Sequence, residues 1–171
     1  MGVLPDRCPV PTDVSSPPIG DHACGDPGDK IEKLEAIIRD KGIAVEYVDS
    51  LPFDANGMSE WGKITINSTR PKPQIFSTMV HELAHELLHW GDRRESTSKV
   101  IRETEAESVA YVVCRAVELE CSTKASDYIQ LWSGDEKVLM QSLELIRNIA
   151  SKILTELEEV ATESKEVAHV A

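Results

Sequence analysis

The residues best suited to chemistry form one short run, His81-Glu82-Leu83-Ala84-His85. At 3.6 residues per turn, His81 and His85 lie one turn apart on the same side of a helix, so both imidazoles can reach a single ion. Zinc suits two neutral imidazoles and one carboxylate, with a fourth position left for water. Glu82 is rotated by about 100° from His81, which keeps it off the metal but near that water. The run therefore predicts a zinc site with Glu82 as its general base.

A third ligand for the zinc ion is available in the run Glu103-Thr104-Glu105-Ala106-Glu107. Glu103 and Glu107 share one face of a helix, whereas Glu105 is rotated by about 200° and is predicted to be a solvated charge. In zinc sites whose third ligand is a glutamate, an acid four residues later hydrogen-bonds the free nitrogen of a histidine ligand and fixes its tautomer. We therefore expect Glu103 on the metal and Glu107 behind it. The swapped arrangement, with Glu107 on the metal, stays open.

A site with three histidine ligands does not fit this spacing. The third histidine of that type lies ten residues after the first and follows a glycine, but His89 is only eight residues after His81, and Leu88 stands where the glycine belongs. His89 is instead predicted to be a helix C-terminal histidine that is favoured by the helix dipole.

Hydrophobic periodicity predicts the elements that must position these residues. Helices are expected over residues 30–41, 74–90, 98–120 and 135–160, with strands over 43–48 and 61–67. The fold class is α+β, with a small antiparallel sheet packed on a helical bundle that carries the active-site helix. In zinc enzymes of this kind the strand before that helix forms a sheet edge to which an extended peptide can add. Lys63, Ile64, Thr65 and Ile66 are therefore predicted to bind substrate, with pairing inside the sheet as the alternative.

The two ends of the chain differ from its middle. Residues 1–29 hold six of the nine prolines and four of the nine glycines, without apolar periodicity, which is typical of a flexible tail. We expect a zinc metallopeptidase domain over residues 30–160 and a C-terminal tail over 161–171.

Composition limits the partners and the compartment. The chain has 171 residues and a net charge of −12, which argues against direct nucleic-acid binding because that affinity comes mostly from Lys and Arg. No run approaches the ~18 apolar residues of a membrane span, and residues 1–10 lack the apolar core of a signal peptide. The four cysteines form no CxxC pair and are expected to be reduced thiols. These features predict a cytoplasmic protein.

Three blocks resemble a known family in their order: Gly62-Lys63-Ile64-Thr65-Ile66-Asn67, the run 81–85 with Leu88-His89, and Glu103-x-Glu105-Ala106-Glu107-x-Val109-Ala110. Together they are similar to the ImmA/IrrE metallopeptidases over about residues 30–120. The segments 106–114 and 126–135 look more like versions of this domain that accompany ArdC-type antirestriction domains on mobile elements.

The resemblance implies a gluzincin with a zincin-like fold. It carries over His81, His85 and Glu103 as zinc ligands and Glu82 as the base. The family has Asn or Asp where this chain has the longer Glu107, and no separate DNA-binding or sensor domain is evident in the sequence. Members act on protein substrates, commonly helix-turn-helix repressors.

The expected function is therefore a zinc-dependent metalloendopeptidase, a hydrolase that cuts a protein substrate, with a helix-turn-helix repressor as a candidate. One alternative is a zinc-containing module that binds and sequesters a regulatory protein without proteolysis. Another is an interaction surface formed by the acidic residues of the last helix, although such charge runs are usually just a solvated face.

Overall fold

The computed structural model describes residues 23–121 and 136–169, with the backbone alone for residue 136 and for 161–169. Within these residues there are five helices: α1 (Lys30–Asp40), α2 (Lys72–Leu88), α3 (Asp92–Ser96), α4 (Lys99–Ala116) and α5 (Glu136–His169). The strands are β1 (Ala23–Cys24), β2 (Ala44–Val48), β3 (Gly57–Ser59), β4 (Lys63–Asn67) and β5 (Glu120–Cys121), and a short 3-10 helix spans Pro52–Asp54. The predicted α+β class is confirmed.

Local sequence explains where the helices begin and end. Helix α1 stops at Gly42, whose φ of 76° suits a residue without a side chain and whose N–H donates to the Arg39 carbonyl. Asp29, which precedes α1, makes no capping hydrogen bond, and its carboxylate pairs with Lys33 at 2.6 Å instead. Helix α4 begins where the Ser98 hydroxyl accepts the Ile101 N–H at 3.2 Å.

The main sheet differs from the antiparallel sheet that the sequence predicts. Its order is β2-β4-β3, with β2 parallel to β4 and β3 antiparallel to it, so the sheet is mixed. The two-stranded sheet of β1 and β5 is antiparallel. The difference arises at β3, a three-residue strand that the sequence pattern does not predict. Strand β3 folds back on one side of β4 and leaves β2 to pair in parallel on the other side.

A two-residue turn joins β3 to β4 and fixes their register. The Glu60 N–H donates to the Lys63 carbonyl at 2.8 Å, and the residues between them, Trp61 and Gly62, have φ values of 50° and 91°. Two positive φ values in a two-residue loop are the signature of a type I′ hairpin, a conformation that tryptophan rarely adopts. The Glu86 carboxylate of α2 accepts the Gly62 N–H at 2.8 Å and so ties the turn to that helix.

Helix α2 lies at the centre of the molecule and contacts the sheet and the helices α1, α4 and α5. Most of its apolar side chains are buried, and they pack with buried apolar side chains from the elements around it. The core includes Phe76, Met79, Val80 and Leu83 of α2, Leu34 and Ile38 of α1, Ile64 and Ile66 of β4, Val109 and Val113 of α4, and Ile153 of α5. Full burial of each large apolar side chain contributes about 1.5–3 kcal/mol to the stability of the fold. Because these side chains come from elements on several sides of α2, they fix the position of that helix.

The predicted tails are only partly separate from the fold. Ala23 and Cys24, placed in the flexible tail by the sequence, form β1, and the Ala23 N–H donates to the Gln74 side chain of α2 at 3.3 Å. At the other end α5 continues to His169, so residue 160 is not a helix end. Residues 1–22 of the predicted tail lie outside the described residues, as do Tyr128 and the segment 126–135 that carries part of the family resemblance.

The cysteines agree only in part with the expectation of reduced thiols. Cys114 and Cys121 are free, and the interaction of their thiols together with burial raises the pKa of Cys114. Cys24 is disulfide-bonded, so the expectation of a reduced thiol is wrong for Cys24.

In the part of the chain that the structure describes, no helix combines the length and apolar character that crossing a bilayer requires.

Candidate metal centre

Helices α2 and α4 bring three side chains to one point. The Nε2 atoms of His81 and His85 lie 3.1 Å apart, and an oxygen of Glu103 lies 3.6 Å from the first and 3.5 Å from the second. The two histidines are largely buried, whereas the Glu103 side chain is 47% exposed, so the cluster opens to solvent on that side. The residues predicted as metal ligands are thus neighbours in space.

The other ring nitrogen of His81, Nδ1, faces Glu107 of α4. This atom lies 3.4 Å from Oε2 of Glu107, and the Glu107 side chain is only 9% exposed. A carboxylate can only accept a hydrogen bond, so Nδ1 carries a hydrogen, and Nε2 is the nitrogen left to bind a metal ion. The swapped arrangement is disfavoured, because Glu103 rather than Glu107 lies near both Nε2 atoms.

The cluster attracts positive charge. Burial lowers the pKa of His81, but hydrogen bonds with Glu103 and Glu107 outweigh it and raise that pKa to about 10. The neighbouring imidazoles of His81 and His85 hold the pKa of Glu103 well below its usual range.

The donor set also fits a divalent cation. One ligand atom from each of His81, His85 and Glu103 lies within 4.8 Å of the others, and two imidazoles with one carboxylate are a typical zinc donor set.

Glu82 lies beside this cluster without joining it. Burial raises the pKa of its carboxyl group, and the charges of His81 and His85 act in the opposite direction. On its other side Glu82 meets β3, where the Ser59 side chain hydrogen-bonds the carboxylate. A carboxylate held in this way, with its pKa shifted upward, is suited to accept and return a proton.

Strand β3, rather than β4, is the edge of the sheet nearest to Glu82. A Cβ atom at Gly57 would lie 2.5 Å from the Thr78 methyl group and 3.1 Å from Cγ of Glu82, so the backbone of β3 passes directly over α2. Strand β4 is paired on both sides. The expectation that β4 is a sheet edge is therefore wrong, and the predicted substrate role of Lys63, Ile64, Thr65 and Ile66 loses that support; the last three are also buried.

Glu105 is not the solvated charge that the sequence predicts. It is fully buried, the Arg93 guanidinium donates to both of its oxygens at 2.6 and 2.8 Å, and the Ser142 hydroxyl of α5 donates to one of them. Helix α4 lies between α2 and α5, so its face opposite Glu103 is covered as well.

His89 lies at the C-terminus of α2, as the sequence predicts, and it is buried. Its Nδ1 lies 2.9 Å from Nδ1 of His85, and its Nε2 lies 3.0 Å from Oε2 of Glu105. Burial lowers the pKa of His89, which opposes the cationic form that a helix dipole would favour.

An aromatic pair lies at the hairpin tip. The rings of Trp61 and Trp90 meet edge to face with centroids 4.9 Å apart, and the Arg94 guanidinium lies 5.4 Å from the centroid of the Trp61 ring. Both tryptophans remain about half exposed.

Sequence reasoning missed several residues around the site. The spacing of His85 and His89, four residues apart, indicated that both lie on one helix face, but nothing local to Glu105 indicated Arg93 or Ser142 as partners. No sequence signal identified Gly57 and Ser59, because a three-residue strand has too little periodicity to detect.

Comparison of the chain with protein-family models, with curated proteins and with solved structures gave no match.

Proposed function

We propose that this protein is a zinc-dependent metalloendopeptidase with a zincin-like fold, related to the ImmA/IrrE metallopeptidases. The observation that carries the proposal is the convergence of His81, His85 and Glu103 from two helices, with the carboxylate of Glu82 held beside them. His81, His85 and Glu103 would hold the ion. When bound there, zinc supplies the Lewis acidity that activates water and polarises a carbonyl.

The chain's own residues would then move the proton and orient the ligands. Glu82 would take a proton from the attacking water and return it to the leaving amine of the cleaved peptide. Glu107 holds His81 in the tautomer that ligates, through the contact at its Nδ1. The exposed side of Glu103 leaves room for water and substrate to reach the ion.

The outer edge of β3 is the proposed docking site for an extended substrate. Glu60 and Asn67 both donate backbone hydrogen bonds across the hairpin, to Lys63 and Asn56. Since hydrogen-bonded pairs alternate in an antiparallel ladder, Met58 faces β4, and the N–H and C=O groups of Gly57 and Ser59 face outward. A peptide that adds there would lie beside Glu82.

A protein substrate and a cytoplasmic location complete the proposal. The family resemblance favours a helix-turn-helix repressor as the first substrate to test. The cytoplasmic location is inferred from the sequence alone. The disulfide bond of Cys24 does not support it, because disulfides are rare in cytosolic proteins.

The test compares the wild-type protein with His85→Ala and Glu82→Gln. Metal analysis should find one zinc ion per chain in the wild type and in Glu82→Gln, and none in His85→Ala. New N-termini in co-expressed proteins, mapped by mass spectrometry, should appear only with the wild type. Full biological function of Glu82→Gln with zinc retained would instead indicate sequestration of a partner. A wild-type protein that purifies without zinc and cannot be loaded with it would refute the proposal.

A further inference from the structure

A row of hydrogen-bonded side chains runs from the proposed ligand His85 into the interior. His85 contacts His89 through the two Nδ1 atoms at 2.9 Å, and His89 contacts Glu105 through Nε2 at 3.0 Å. The row ends at Arg93 of α3 and Ser142 of α5, which both donate to Glu105. His89 and Glu105 have fully buried side chains, so water does not compete for these contacts.

The chemistry of each group fixes the direction of every hydrogen bond in this row. The carboxylate of Glu105 only accepts, so Nε2 of His89 carries a hydrogen. Arg93 already balances the charge of Glu105, and a second buried cation would be unfavourable, so His89 is neutral and its Nδ1 is a lone pair. That lone pair accepts from Nδ1 of His85. The hydrogen of His85 is then on Nδ1, and its Nε2 lone pair is directed at His81 and Glu103.

We propose that His89 and Glu105 are positioning residues that hold His85 in the tautomer able to ligate the metal. The inference deepens the proposed function and rests on the zinc site assigned there. His81 receives the same support from one residue, Glu107, whereas His85 receives it through two residues in series.

The geometry assigns His89 this role rather than that of a fourth ligand. Both of its ring nitrogens are engaged, one by His85 and the other by Glu105, and neither is directed at the cluster of Nε2 atoms. Arg93 and Ser142 orient Glu105 in turn, so helices α3 and α5 help to orient a ligand that α2 carries.

The test uses two substitutions of similar size, His89→Asn and His89→Leu. The Asn Oδ1 atom occupies nearly the position of Nδ1 and can still accept from His85, whereas Leu cannot. Long-range proton–nitrogen correlation spectra of the metal-free full chain report the tautomer of each imidazole. We expect the Nδ1–H form of His85 in the wild type and in His89→Asn, and its loss in His89→Leu. Thermal unfolding of each variant checks that it folds.

Zinc affinity, measured by competition with a chelator, is the second readout. Loss of a group that orients a metal ligand typically weakens affinity by about 10–100-fold, so His89→Leu should fall in that range and His89→Asn should stay close to the wild type. An Nε2–H tautomer of His85 in the wild type or in His89→Asn would overturn the inference, as would wild-type affinity in His89→Leu. If His89→Leu does not fold, the spectra of the other two proteins still decide. If the wild-type protein has the Nδ1–H form of His85 but no affinity for zinc, the positioning role of His89 and Glu105 is supported and the proposed function is refuted.

Discussion

At the scale of single residues, two acids of α4 with different surroundings serve the two histidines of α2. Glu107 reaches His81 directly, and Glu105 reaches His85 only through His89. Both acids are buried on a helix whose third acid, Glu103, stays half exposed. In the proposed centre, the exposed acid would bind the ion and the buried acids would hold the two histidine ligands in place.

Glu107→Leu should weaken zinc binding by about 10–100-fold, because it removes the acceptor for Nδ1 of His81. Glu107→Gln keeps an acceptor oxygen, so its zinc affinity should fall by less. Chelator competition measures both affinities. Glu158→Gln changes an exposed carboxylate on α5 and should bind zinc like the wild type. Equal affinities for Glu107→Leu and the wild type would contradict the role assigned to Glu107.

How much of the site can be predicted from sequence depends on the separation of the interacting residues. His81 and His85, or Glu103 and Glu107, lie one helical turn apart, so helix geometry alone places each pair on one face. The burial of Glu105 depends on Ser142, 37 residues away along the chain, whose contact follows from the packing of α5 on α4. A helical wheel of α4 alone therefore predicts a solvated Glu105.

At the scale of elements, the hairpin of β3 and β4 is the part that sequence patterns described least well. Strand β4 alternates clearly, and its position was predicted to within two residues, but β3 has only three residues and includes a glycine. Missing β3 led to the assignment of β4 as an edge. Gly57 allows the backbone of β3 to lie against Thr78 and Glu82, so its missing side chain brings the edge strand close to the proposed base.

Gly57→Ala should destabilise the fold by about 1–3 kcal/mol, because the new methyl group would overlap Thr78, 2.5 Å away. Thr78→Ser removes that methyl group, so the double variant should recover part of the loss. Urea unfolding of the wild type, the two single variants and the double variant measures the coupling free energy between the two positions. Strictly additive effects would show that the two residues do not clash. Gly91→Ala is a control for backbone strain. The added Cβ atom would have nothing within 4 Å, but the φ of 50° is unfavourable for alanine, so any loss of stability there comes from the backbone and not from overlap.

At the scale of the whole molecule, the candidate centre joins two helices whose other packing partners differ. Helix α2 packs on the sheet and α1, and α4 packs on α5 and β5. A metal that bridges α2 and α4 would therefore be linked to the stability of the entire fold rather than to one loop.

Zinc should raise the melting temperature of the metal-free protein. Binding only to the folded state adds about 4 kcal/mol when free zinc is 1,000 times its dissociation constant, which for a chain of this size is a shift of roughly 10 °C. Calorimetry with and without zinc measures the shift. Magnesium, which prefers oxygen ligands, should have little effect. The same shift in His85→Ala would show that zinc binds elsewhere.

The edge-to-face contact of Trp61 and Trp90 makes the hairpin an internal optical reporter. One indole lies at the hairpin tip, whose other arm is β3, and the second follows His89 at the end of α2. A strand that adds to β3 would change the distance between the rings and the position of the Arg94 guanidinium, and with them the fluorescence of the pair. With Trp132 replaced by phenylalanine, fluorescence from the two remaining tryptophans would report the binding of a peptide to the outer edge of β3, without a dye or a cleavable peptide.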